Sequence, residues 1–266
     1  MNTRVAALGR PAAEADVVRP ARSSVLPVLA GVAGLAWLLA VLAELGDEGA
    51  LLHHHALIDN GPPLIVAVPL FLLAWQVMVA GMMVPGSVPA IAAFERRVRA
   101  RPHWWRAMGG FLGVYFLAWT AFGLVAFMGD VALHAFVDAT PWLAARSWLI
   151  EAGVVALAGA YQFVPIKRQT LAACRHPRDG QGVLASGSGA GLAHAIDCLG
   201  SSWALMLLMF AAGFANLWWM VGLTAVMIYE ARGRHGQQAT RLVGAMLLGL
   251  ALYAVAAGGL PAWVPG

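Results

Sequence analysis

Apolar residues in this chain come in unbroken blocks of about 20, the length at which a helix crosses the hydrocarbon core of a bilayer. The blocks fall at 25–44, 63–85, 109–129, 148–166, 191–213, 216–230 and 242–260. Few folds can bury so much apolar chain. Of the 266 residues, 61% are hydrophobic and 11% are charged, whereas a soluble domain is about half apolar and a quarter charged. Transmembrane β-barrels are built from alternating segments of about ten residues, and these runs do not alternate. The expected fold is an all-α polytopic membrane bundle of about seven transmembrane helices.

Residues 1–24 carry Arg4, Arg10, Arg19 and Arg22 and no apolar run, so they read as a mobile cytoplasmic arm. Residues 25–266 then form a single transmembrane helical domain. The first block is too long for the apolar part of a signal peptide and lacks a cleavage site, so it reads as a retained anchor. The difficult stretch is 191–230, too long for one ordinary crossing, and charge decides how to divide it. If it is a hairpin turning near Gly213–Asn216, seven helices result, and 16 of the 17 Lys and Arg residues fall on one side. Only Arg146 does not. Basic residues concentrate on the cytoplasmic side of membrane proteins, so the N-terminus is expected inside and the C-terminus outside. The same distribution explains the net charge of +4 without a nucleic-acid partner. The lipid bilayer is the partner the composition demands, and a plasma membrane is the expected location.

Several polar and sulfur-bearing residues lie inside or beside the apolar blocks. His194, Asp197 and Cys198 sit at i, i+3 and i+4 on one face of the fifth helix. Ionisable groups at that depth are costly in lipid and face a cavity, a partner or an ion path. Imidazole and thiolate suit copper and zinc. The plain alternative, an interhelical hydrogen-bond cluster, weighs about equally on spacing alone. Met78 and Met82 share a face of the second helix, next to Met83. Thioethers select Cu(I) over hard cations, although methionine is also a common gap filler. Outside the first helix, His53, His54 and His55 stand among Asp47, Glu48 and Asp59 with no basic residue near them. Three consecutive histidines do not face one way on a helix, so they suit metal capture rather than a preformed site. Cys174 and His176 form a loop pair too sparse to define a metal site. Two cysteines in all give no disulfide framework.

An ordered set of strings runs through the chain. It comprises Trp75, Met78, Met82-Met83 and Pro85; Tyr161-Gln162, Pro165, Lys167, Cys174-Arg175 and Pro177; and Gly191, His194, Cys198, Gly200, Trp203 and Met206. It closes with Gly213, Asn216, Trp219-Met220 and Glu230. Together they resemble a bacterial family of predicted metal-binding integral membrane proteins, whose branches include copper chaperones for copper oxidases such as tyrosinase. The resemblance covers roughly residues 63–250. It implies copper as the metal and a copper-dependent enzyme as the partner. It carries over His194, Cys198, Met78, Met82 and Met83 as metal residues. Many members have a cysteine pair where this chain has Ser201 and Ser202, and a methionine where it has Ala215. Fewer thiolates imply a weaker soft-metal site.

The expected function is therefore membrane-bound metal binding, with copper delivered to an extracytoplasmic copper enzyme. The competing readings are a metal or small-solute transporter and a non-catalytic structural subunit. No nucleophile–base arrangement, phosphate loop or dinucleotide fingerprint supports an enzyme.

Overall fold

The computed structural model describes residues 23–45, 62–175, 186–211 and 216–260, and all secondary structure within them is helical. In chain order the helices are α1 (Val25–Leu45), α2 (Leu64–Met82), α3 (Val84–Val98), α4 (Trp104–Asp138) and α5 (Pro141–Ala144). They continue with α6 (Trp148–Tyr161), α7 (Pro165–Arg175), α8 (Gly187–Ala211), α9 (Leu217–Arg232) and α10 (Gly236–Ala257). Among the described residues, five helices are long and apolar enough to span a membrane, counting α2–α3 as one. The bent pair α6–α7 makes six.

Proline shapes the α2–α3 helix and ties it to its neighbours. Pro85 has no N–H to give the carbonyl of Gly81, four residues back. Trp37 of α1 donates its indole N–H to that oxygen at 3.2 Å. Pro89 leaves the carbonyl of Pro85 open in the same way, and the Arg232 guanidinium at the end of α9 donates to it. Each gap in the ladder becomes a contact between helices.

Two expectations about element boundaries are revised. The block at 109–129 extends to a helix of 35 residues ending at Asp138. Residues 131–138 are its last two turns, because no Pro or Gly interrupts the chain between them and Pro141. The block at 148–166 breaks at Pro165, where α6 and α7 meet at 64°. The expected turn at Gly213–Asn216 lies mostly outside the described residues; α8 is described to Ala211 and α9 starts at Leu217, with the Asn216 side chain accepting from Trp219 N–H at 3.1 Å. Glu230 and Ser201 both meet Lys167, so α9 runs back antiparallel beside α8.

Helix α8 is the hub, packed against α3, α4, α6, α7 and α9. Its first turns lie backbone-to-backbone on α4. A Cβ at Gly187 would stand 2.0 Å from the Ala107 carbonyl oxygen, and one at Gly191 2.3 Å from that of Phe111. Small residues permit such close approach between membrane helices. Further along, Trp75 covers Gly123 of α4 and donates to the Trp119 carbonyl at 2.8 Å. Phe71, Phe127 and Phe210 complete this aromatic layer. Among the described residues, the fully buried charged side chains are Glu95, Lys167, Asp197 and Glu230, in the opposite part of the core. The bundle thus has an apolar half and a half in which charge is tolerated, and the site lies at their boundary.

Candidate metal centre

A pocket of about 40 Å³ opens among the α2–α3 junction, α7, α8 and α9. Five sulfur-bearing side chains line it: Met82 and Met83 from the α2–α3 junction, Cys174 from α7, Cys198 from α8 and Met227 from α9. His194, Ser87, Ser201, Ser202 and Glu230 contribute the polar lining. At about 10–15 Å³ per water by this measure, the volume admits an ion together with roughly two or three waters.

Helix geometry explains the convergence. Cys198 lies four residues past His194, and Ser201 and Ser202 lie three and four past Cys198, so they form one stripe on α8. The step between α2 and α3 turns two consecutive methionines to the same cavity. Met83 N–H still donates to the Val79 carbonyl at 2.9 Å, and Ser87 N–H to the Met83 carbonyl at 3.1 Å, so the junction is rigid.

The imidazole of His194 stacks on Phe111 and Tyr115, with ring centroids 5.8 and 5.5 Å away. Its Nε2 is buried and has no hydrogen-bond partner. A buried nitrogen left open is costly, and a metal would satisfy it. Cys198 Sγ lies 3.4 Å from the Tyr115 hydroxyl, which in turn lies 3.1 Å from Ser87 Oγ. Ser201 and Ser202 turn their hydroxyls back onto the Cys198 carbonyl at 2.9 and 2.7 Å. The Ser201 proton being so used, the Cys174 thiol donates to Ser201 Oγ across 3.9 Å.

One wall carries a buried ion pair. Lys167 Nζ lies 2.7 Å from Glu230 Oε2, each side chain only 1% exposed. Lys167 also donates to the Ser201 carbonyl, while Glu230 Oε1 has no partner. Arg175 caps the end of α9 by donating to the carbonyls of Glu230 and Gly233, the latter at 3.2 Å. Carbonyls at a helix C-terminus lack intrahelical donors, so this contact fixes α7 to α9 beside the pocket.

Four of the sequence-singled residues, Met82, Met83, His194 and Cys198, therefore share one cavity. Met78 is buried a turn away on α2 and does not line it. Asp197 is buried beside Cys198 and is likewise not part of the lining. His53, His54 and His55 lie outside the described residues. Sequence reasoning missed Met227, discounted Cys174, and read Lys167 only as part of an inside-facing basic cluster. Met227 and Glu230 fall three apart on α9, a spacing that would have placed both on one face.

The donor set is selective in its chemistry. Among the described residues, no three His, Cys, Asp or Glu side chains gather as a metal site. The thioethers that line the pocket are donors that suit a soft ion such as Cu(I) and not a hard divalent cation.

Fold and pocket together define a class: a helical membrane bundle with a sulfur-rich interior cavity. Within it, residues 72–254 match the family model of PpoB2, a copper chaperone, and the chain belongs to that family. Its role is thus copper handling rather than catalysis. The match starts within α2, so it leaves out α1 and the His53–His55 run. No curated protein and no solved structure matches the chain.

Proposed function

We propose that the sulfur-lined pocket is where this copper chaperone holds its cargo, as Cu(I). Cys198, Met82, Met83 and His194 are the principal ligands, with Cys174 and Met227 within the same cavity. The observation that carries this reading is the open Nε2 of His194 in a pocket whose other soft donors come from four separate helices. Cysteine and histidine serve zinc as well as copper, but the three thioethers in the set favour a monovalent soft ion over Zn²⁺ or Mg²⁺. Met78, one turn further into the core, supports the pocket from behind.

In the proposed topology the chain crosses a plasma membrane seven times, N-terminus inside. The antiparallel return of α9 and the segregation of basic residues support it. The client is a copper-dependent enzyme on the outer side. His53, His54 and His55 act in copper capture rather than retention, so changing all three to Ala slows acquisition and leaves final occupancy intact.

Copper per chain in protein purified in mild detergent and loaded with Cu(I) tests the site. The wild type is expected to retain stoichiometric copper, and the folded Cys198→Ser/His194→Ala variant to lose most of it. Unchanged copper in that variant would move the site elsewhere.

A further inference from the structure

The pocket lies where buried charge begins, beside Lys167, Arg175 and Arg232. In the proposed topology that is the cytoplasmic side of the bundle. A client on the far side is then separated from the pocket by the apolar half of the core. Four further methionines occupy that half.

On α8, Cys198, Ser202, Met206 and Met209 follow at steps of four, four and three, so they form one stripe. Met206 and Met209 are 0% exposed. Met209 stands about 16 Å beyond Cys198 along the helix axis, at 1.5 Å per residue. On α9, Met220 shares a stripe with Met227, seven residues on. On α2, Met78 sits one turn above Met82. Cys198 and all of these methionines belong to one continuous buried cluster, and α9 packs on both α2 and α8. Seven of the eleven methionines in the chain are gathered there. Among the described residues, no fully buried charged side chain stands alongside the upper four, where the neighbours are Trp75, Phe71 and Phe210.

We propose that Met78, Met206, Met209 and Met220 form a thioether path along which Cu(I) passes between the pocket and the opposite end of the bundle. The inference rests on the pocket reading above and adds transfer across the membrane to it. A bare cation in an apolar interior is costly. Thioethers lower that cost for a soft ion by weak direct ligation, while a hard ion gains little from them. The path is passive, and Cu(I) moves toward whichever side offers the stronger ligand. Packing alone has no need of sulfur at these positions, since Leu fills a similar volume.

Vesicles of phosphatidylcholine containing the full chain and enclosing a Cu(I)-chelating dye test this, with Cu(I) supplied outside as a weak soluble thiol complex. Wild-type vesicles should fill the dye with Cu(I) at least about tenfold faster than empty ones and should also pass Ag(I), whereas Zn²⁺ with a matching dye should not enter. The Met206→Leu/Met209→Leu/Met220→Leu variant should lose transfer by about tenfold yet bind as much copper per chain in detergent. Should that variant fail to reconstitute, Met206→Leu alone carries the test, with a several-fold loss expected. Wild-type protein that binds copper but transfers none overturns the path, as does a variant that transfers at the wild-type rate. Wild-type protein that binds no copper in detergent overturns the pocket reading, and the path with it.

Discussion

The hydroxyl of Ser202 lies 3.7 Å from Met83 Sδ and 2.7 Å from the Cys198 carbonyl oxygen, so one proton serves a sulfur on α2–α3 and a backbone acceptor on α8. Ser202 thus occupies a place from which a thiol would face the pocket sulfurs directly. Ser201 stands at the same rim, near Cys174.

Replacing both serines with cysteine should tighten Cu(I) binding by at least about tenfold, because thiolate is a far stronger soft-metal ligand than hydroxyl. Competition against a Cu(I) chelator of known affinity measures it. Unchanged affinity would mean that these two positions do not reach the ion.

Gly191 controls how closely α8 lies on α4. A Cβ there meets backbone atoms of Phe111, with 2.3 Å to the carbonyl oxygen, and backbone cannot swing aside as a side chain does. Gly191→Ala should cost about 1–3 kcal/mol, the usual penalty for overpacking, and lower the melting temperature in detergent. It should also reduce copper affinity, since His194 follows within one turn. Gly113→Ala on α4, where no atom lies within 4 Å of the added carbon, is the control and should be near neutral.

The Lys167–Glu230 pair predicts a strongly non-additive cycle. Both side chains are 1% exposed, so Lys167→Met alone leaves a buried carboxylate without its cation and should destabilise by about 3–5 kcal/mol. The double variant Lys167→Met/Glu230→Leu should recover much of that loss. Thermal unfolding of the three variants in detergent checks this, and additive losses would contradict it.

Much of the bundle is legible in the sequence because lipid imposes so simple a rule. Length and apolarity alone mark α1, α4, α8 and α10. The boundaries are less legible, because Pro85 and Pro89 look like helix breakers until Trp37 and Arg232 are seen taking the carbonyls they free. Pro165 does break its helix, and nothing local in the sequence separates the two cases. At the site, the stripe His194–Cys198 is readable from helical spacing within one segment. Cys174 and Met227 are not, because their approach depends on the 64° bend between α6 and α7 and on the return of α9. The burial of Lys167 is a matter of tertiary structure too: its partner Glu230 lies 63 residues away in the chain.

The central claim is that copper is held by sulfur in this pocket, and X-ray absorption at the copper edge of the Cu(I)-loaded protein tests it most directly. The account predicts a first shell dominated by sulfur, with one lighter scatterer from His194 that disappears in His194→Ala, and with less sulfur in Cys198→Ser. A shell of nitrogen and oxygen alone, or one unaltered by either substitution, would contradict it.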